Sequence, residues 1–358
     1  MPTNMPSRPL VRRPTVSVVV PCYRYGHYLP GAVRSVLDQT DVDAEVLIVD
    51  DASPDDSAEV AEALAAADPR IRVLRHTVNK GHIATYNDGL EAVDGEYVVL
   101  LSADDLLPPG SLGRATALME AHPSVGMVYG HPLDFLDTPP PATTSVRNWS
   151  IWGGHEWIEQ RCRRGNNCIY NPEVVLRGDV QRAIGGYDPG LPHSGDLEMW
   201  LRAAAVADIG RVNGANQGYY RIHQASMQRT VYSSFMADFE GRRDAFDAVL
   251  NGPDSVFASD EADRLYALAR RAIATTALEQ AARAYDDGST DVEPVDEYVA
   301  FALDLWPEAR QLRAWRALAR RQAAGPERCH RSLQGSGRRA VRDLEGRIRW
   351  RRWRRSGV

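Results

Sequence analysis

The stretch EYVVLLSADDLLPPGS, residues 96–111, ends an apolar run on two adjacent acids, Asp104 and Asp105. Two carboxylates at the mouth of a buried strand repel each other, a cost that is offset when a cation sits between them and an anionic ligand. A second pair, Asp50 and Asp51, closes the run EVLIVD. Either residue alone would also cap a turn, since VDDASPDDS is good turn sequence. Repetition of the pair at two run ends favours metal-assisted handling of a diphosphate, in which the metal offsets phosphate charge and steadies a leaving phosphate. Asp196 opens HSGDLEMWLR, where Met199, Trp200 and Ala203 fall at core spacing. An acid there can cap its helix; held at the start of an anchored helix, it also suits a general base. His223, in YYRIHQASM, can cap, hydrogen-bond or ligate a metal.

The elements that must position these groups follow a regular rhythm. Apolar runs at 15–21, 45–50, 71–76, 97–101 and 125–130 alternate with helical spacing at 27–40, 55–69, 82–93 and 111–122. Runs apolar throughout, not alternating, imply strands covered on both faces and hence a mostly parallel sheet flanked by helices, an α/β fold. Ligands of such sheets bind outside the carboxyl ends of the strands. Pro21–Cys22–Tyr23, Asp50–Asp51, Asn79–Lys80–Gly81 and Asp104–Asp105 all sit there. After the first run PCYRYGHYLPG lacks the G-x-G-x-x-G of a dinucleotide site, and no P-loop is present.

The reading divides the chain into a flexible N-terminus (1–14), an α/β domain (15–231), a helical domain (232–325) and a basic tail (326–358). Residues 131–165, with a proline cluster and Trp149, Trp152 and Trp157, read as a long functional loop within the α/β domain. Net charge is −6, yet from Arg328 onward eleven arginines face only Asp343 and Glu345. Cys22, Cys162, Cys168 and Cys329 match no metal or disulfide spacing and read as reduced thiols. No apolar stretch reaches the ~20 residues of a membrane span, and the start of the chain is too polar for a signal peptide. A cytoplasmic protein is expected, with peripheral contact at the inner face of the membrane.

In register, VSVVVPCYRYGHYLPGAVRSVLDQT, EVLIVDDASPDDS, NKGHIATYNDGL, YVVLLSADD, IGGYD, GDLEMWLR and YRIHQAS resemble the family 2 glycosyltransferases, from about Thr15 to about Met227. The resemblance implies a GT-A fold and inverting transfer of a sugar from a nucleotide diphosphate donor to a hydroxyl or amine. UDP is the default donor base, with GDP and dTDP as the others. It places Pro21, Tyr23, Arg24, Asp50, Asp51, Asn79, Lys80, Gly81, Ser102, Ala103 and Asp104 at the nucleotide sugar. Asp104 would hold Mn²⁺ or Mg²⁺ with His223 near it, Asp105 would lie behind, and Asp196 would be the base. Departures are Ser102 at the first acid of D-x-D, Gly195 before the base, and Arg24 where many members carry Asn.

For a sugar, lipid-linked or small-molecule acceptor, the expected contacts are Trp149, Trp152, Glu156, Trp157 and His193, although the tryptophans equally suit packing of loop to core. Trp350 and Trp353 among arginines, within 338–355, fit an anionic membrane surface; nucleic acid is not expected as a partner. A catalytically degenerate sugar-nucleotide-binding or scaffolding protein is the alternative, given Ser102 and Gly195. A nucleotidyltransferase would need a Gly-rich basic loop that PCYRYGHYLP lacks.

Overall fold

The computed structural model describes residues 2–223 and 234–331, with Leu344, Ile348 and Trp353. The chain forms two compact units. One comprises Met1–Ile158 and Cys168–Val231, the other Glu159–Asn167 and Tyr232–Ser356.

In the first unit, β1 (Thr3–Met5), β2 (Thr15–Cys22), α1 (Leu29–Leu37), β3 (Asp43–Asp50), α2 (Ser57–Ala67), β4 (Ile71–Arg75), α3 (His82–Glu91), β5 (Tyr97–Leu100), α4 (Ser111–Ala121) and β6 (Val125–Tyr129) follow in order. Then come β7 (Pro132–Phe135), β8 (Asn148–Trp152), α5 (Gly154–Arg164, whose residues from Glu159 on belong to the second unit), β9 (Val175–Arg177), α6 (Gly178–Ile184), α7 (Gly195–Val206), β10 (Asp208–Asn213) and β11 (Gly218–Arg221). Nine strands make one sheet in the order β1-β8-β10-β6-β9-β5-β2-β3-β4, and β11 pairs with β7 in a small second sheet. Strands β2, β3, β4, β5, β6 and β10 run parallel; β1, β8 and β9 supply the antiparallel pairings.

Continuous apolar sequence explains the central strands. Val16, Val18, Val20, Val46 and Ile48 are at most 1% exposed, and burying each stabilises the fold by roughly 1.5–3 kcal/mol. Strands β2 and β3 share one uninterrupted register from Thr15↔Asp43 to Cys22↔Asp50. On the other side of β2, pairing with β5 stops at Val19↔Leu100. Pro21, with no N–H to offer a neighbour, lies where β5 has already departed. Chain order also reverses here, because β3 and β4 lie to one side of β2 and β5 to the other. The crevice between the carboxyl ends of β2 and β5 is therefore the topological switch point where such sheets bind ligands.

Helix α3 lies so close to the sheet that a Cβ on Gly89 would be 2.4 Å from Val19 Cγ1 and 3.0 Å from Val49 Cγ2. Alanine would gain about 1 kcal/mol of helix propensity. Overpacking against two valines costs about 1–3 kcal/mol and prevails. Gly89→Ala is thus expected to lower the urea midpoint, by about 1 kcal/mol of net stability.

Two expectations are corrected. The N-terminus is tied down: Thr3–Met5 pair with Trp149–Ile151, and Arg12 bridges Glu96 and Glu120. Residues 131–165 are not one long loop; they contain β7, β8 and α5.

The second unit holds α8 (Phe235–Asn251), α9 (Ser259–Asp287), α10 (Val295–Leu305), α11 (Arg313–Ala324) and α12 (Pro326–Arg331). Alanines along α9 let the others approach, and Phe239, Phe246, Ile273, Leu278, Tyr298 and Leu318 fill the core. Arg321 and Asp286 form a partly buried ion pair at 2.7 Å. Most of 338–355 lies outside the described residues, Trp350 included. Trp353, expected at a headgroup surface, is buried. Among the described residues no helix is long and apolar enough to cross a membrane.

Candidate functional site

Three loops at the carboxyl ends of β2, β3 and β4 are knitted together. Arg24 (φ 61°) and Ala52 (φ 52°) adopt left-handed backbone that side chains rarely take. The Arg24 N–H donates to Ser53 Oγ at 3.0 Å, joining the two turns. Asp51 receives the N–H groups of Lys80 (2.8 Å) and Gly81 (2.9 Å), and its Oδ1 lies 2.8 Å from His76 Nδ1. Burial opposes its charge, but His76 and these amides outweigh burial and hold the pKa below the usual carboxylate value. Asn79 Nδ2 donates to the Asp51 carbonyl, and Lys80 Nζ pairs with Asp88. Asp50 and Asp51, expected to line the ligand pocket, are 0% and 3% exposed. They brace the loops, and the exposed surface belongs to Tyr23, Arg24, Asn79 and Lys80.

The acids after β5 divide their work. Asp105 is 2% exposed, and its Oδ1 accepts the Arg221 N–H at 2.8 Å. Burial, aided by the neighbouring charge of Asp104, raises its pKa well above the ordinary value. Leu106 and Tyr219 exchange backbone hydrogen bonds of 3.2 and 2.9 Å, so β11 is locked onto this turn. Arg221 also donates through Nε to the Asp104 carbonyl, and its guanidinium sits 4.5 Å and 4.3 Å from the ring centres of Tyr28 and Phe135. Asp104 stays partly open beside Ser102 and the buried Ala103. Its Oδ2 lies 2.8 Å from His223 Nε2.

That spacing fits a shared ion. Two adjacent ligands of an octahedral Mg²⁺, each at about 2.1 Å, stand about 3.0 Å apart. Among the described residues no group of three or more His, Cys, Asp or Glu converges to cage a metal. Such ions commonly take one or two protein ligands and complete their shell with substrate phosphate oxygens and water.

Asp196 stands in the first turn of α7, anchored by buried Leu197, Met199, Trp200 and Leu201. Its Oδ1 accepts from Tyr187 Oη at 3.1 Å and Asn171 Nδ2 at 3.4 Å, and among the described residues no such donor reaches Oδ2. Tyr187 is fixed in turn by Asn87, which accepts its N–H at 2.6 Å and donates to its carbonyl at 2.9 Å. A Cβ on Gly195 would meet Tyr187 Cδ1 at 2.9 Å, so glycine there makes room for the tyrosine that holds Asp196. Burial pushes the Asp196 carboxyl up to about 6, and the Tyr187 hydrogen bond partly opposes the rise. Tyr187→Phe is expected to move the acid limb of a kcat/KM profile upward from about pH 6, a shift read directly from rates between pH 5 and 8.

Residues 17–175 match the profile of Glycosyl transferase family 2. Over 227 residues the chain is 28% identical to an uncharacterised glycosyltransferase of Nostoc sp., covering 61% of this chain and 68% of that protein. Residues 17–175 are thereby identified as a glycosyltransferase family 2 region.

Its fold is that of the GT-A glycosyltransferases. S. aureus TarS residues 1–349, in complex with UDP-GlcNAc, superpose with a TM-score of 0.58 at 16% identity, over 84% of this chain and 91% of that one. The mannosyltransferase PcManGT of Pyrobaculum calidifontis, in complex with GDP-Man and Mn²⁺, gives 0.51 at 18% identity, over 98% and 86%.

Within this fold the expected acceptor aromatics are corrected. Trp149, Trp152 and Trp157 are at most 1% exposed; the first two are packed in β8 between β1 and β10. Because Trp152 pairs with Ile209 at the start of β10, Glu156 begins α5 from the sheet edge opposite to Asp104. Neither Glu156 nor these tryptophans reach the crevice. His193 does lie near the base, in the turn before α7, where His82 Nε2 approaches the Pro192 carbonyl at 3.2 Å. Sequence reading missed Tyr170 and Asn171, and quoted Tyr220 and Arg221 within YRIHQAS without a role. It quoted Tyr187 within IGGYD without a role.

Proposed function

We propose that this glycosyltransferase moves a sugar from a nucleoside diphosphate donor to a hydroxyl or amine, inverting the anomeric centre with a divalent metal. The Asp104–His223 pair at the β5 turn carries this reading, because it offers two metal-binding groups where the diphosphate of a switch-point ligand would lie. Mn²⁺ or Mg²⁺ held by Asp104 and His223 would supply positive charge against the diphosphate. Tyr23, Arg24 and the Asn79–Gly81 loop would flank the nucleoside, with UDP as the default and GDP or dTDP as the others. The donors in the TarS and PcManGT structures support a nucleotide sugar.

Asp196 Oδ2 takes the proton from the acceptor. The acceptor oxygen or nitrogen forms its bond to the anomeric carbon as the carbon–phosphate oxygen bond breaks, and the electron pair leaves on the diphosphate. Tyr187 and Asn171 hold Oδ1 so that Oδ2 faces the acceptor. With a pKa of about 6 the base is ionised at neutral pH and still able to accept a proton. A single displacement needs no enzyme nucleophile. Slow hydrolysis of an α-linked nucleotide sugar, followed by proton NMR, is expected to release the β-anomer first. Initial release of the α-anomer would contradict inversion.

A further inference from the structure

We infer that the stacked pair Tyr170–Tyr220 is the platform on which the acceptor lies, and that the acceptor presents a pyranose ring. The inference rests on the transferase reading above and specifies the substrate class of that site.

Chain connectivity places the pair between the two halves of the chemistry. Tyr220 precedes Arg221, whose N–H and guanidinium hold Asp105 and the Asp104 carbonyl. Tyr170 precedes Asn171, whose amide reaches the base Asp196. The two rings stack with centroids 4.8 Å apart and planes inclined by 20°, so the pair bridges the metal side and the base side. Both rings remain partly exposed. Burial is the main cause that raises both hydroxyls above the ordinary tyrosine value, with Asp105, Asp104 and Asp196 adding to the rise at Tyr220. Both phenols therefore stay protonated and able to donate.

The segments that carry the two rings are also held by backbone contacts. The Tyr170 N–H donates to Glu173 Oε1 at 3.0 Å, and the Val174 N–H to the Asn171 carbonyl at 3.1 Å. Gly218 at the start of β11 packs on Pro172, where a Cβ would come within 2.9 Å of backbone. Backbone contacts thus fix the two segments that carry the rings.

Its chemistry selects a sugar. Aromatic faces cover the axial C–H groups of a pyranose, while a polar rim takes its hydroxyls. Asp134, opposite Tyr220 in the β7–β11 register, is an exposed acceptor at that rim. An acyl chain or a bare phosphate would gain nothing from a carboxylate there.

The test is saturation-transfer NMR on the full chain with Mn²⁺, an equimolar mixture of UDP, GDP and dTDP, and the methyl pyranosides of glucose, galactose, mannose and N-acetylglucosamine. At least one glycoside should show transfer to its ring C–H protons. Tyr220→Ala should weaken that glycoside about ten-fold, the loss of roughly 1.4 kcal/mol of stacking, and Tyr220→Phe should retain it. Calorimetric nucleotide affinity should be unchanged in both, which a general structural role for the ring would not allow. Nucleotide binding without any glycoside signal, or an undiminished signal in Tyr220→Ala, would overturn the platform. A Tyr220-dependent glycoside signal without nucleotide binding would uphold the platform and remove the donor assignment. Absence of both would remove both.

Discussion

Asp196→Asn is expected to lower kcat for transfer by about 10²–10⁴-fold, the usual contribution of a positioned general base. Nucleotide affinity should hardly change, because the proposed mechanism puts Asp196 on the acceptor side. The amide can still accept from Tyr187 and Asn171 at Oδ1, so the local geometry survives while proton acceptance is lost. The same variant should be more stable at neutral pH. The folded protein holds Asp196 at about 6, against an ordinary aspartate value of 3.8, which disfavours the ionised folded state. For an acid with a raised folded pKa, the penalty is absent below about pH 3.8, grows between about 3.8 and 6, and is full above that. Asp196→Asn should therefore gain up to about 3 kcal/mol at pH 7–8 and nothing near pH 3.5. Urea titrations at the two pH values measure this. Loss of activity together with a pH-dependent gain in stability is the signature of a base kept in an unfavourable setting; equal activity in the variant would remove Asp196 from the chemistry.

Asp104→Ala should remove metal-dependent binding of the donor nucleotide. Losing a partner that merely supports a metal ligand costs 10–100-fold in affinity, so losing the ligand itself should cost at least about 100-fold. His223→Ala should have a smaller effect, about ten-fold, since diphosphate oxygens or water can replace one neutral ligand. Asp105→Asn serves as the contrast. Its Oδ1 accepts the Arg221 N–H, a role that an amide oxygen can fill, so metal-dependent affinity should persist. The proposal thus gives the adjacent acids separate tasks: Asp105 anchors the turn from inside, and Asp104 would face the ligand.

Legibility in the sequence followed the physical range of each signal. The strand runs at 15–21, 45–50, 97–101 and 125–130 were readable because central parallel strands are buried on both faces and show it locally. Strands β1, β7 and β9 have three or four residues each, too few for a period to emerge. The NWSIW of β8 announced aromatic mass but not its direction; only pairing with β1 and β10 shows that Trp149 and Trp152 point into the core. Asp104, Asp196 and His223 were legible as chemical types in motif context. Their orienting partners were not, because those contacts cross the chain: Asn87 meets Tyr187 across 100 residues, and Asp105 meets Arg221 across 116. Gly195 read as a lost acid and is instead the space that Tyr187 occupies.

The most direct measurement is calorimetric titration of UDP, GDP and dTDP with and without Mn²⁺, in the wild-type chain and in Asp104→Ala. The proposed donor site predicts a clear preference for one nucleotide, dependent on Mn²⁺ and abolished by the substitution. No binding of any of the three to the folded protein, or binding indifferent to both Mn²⁺ and Asp104, would contradict it.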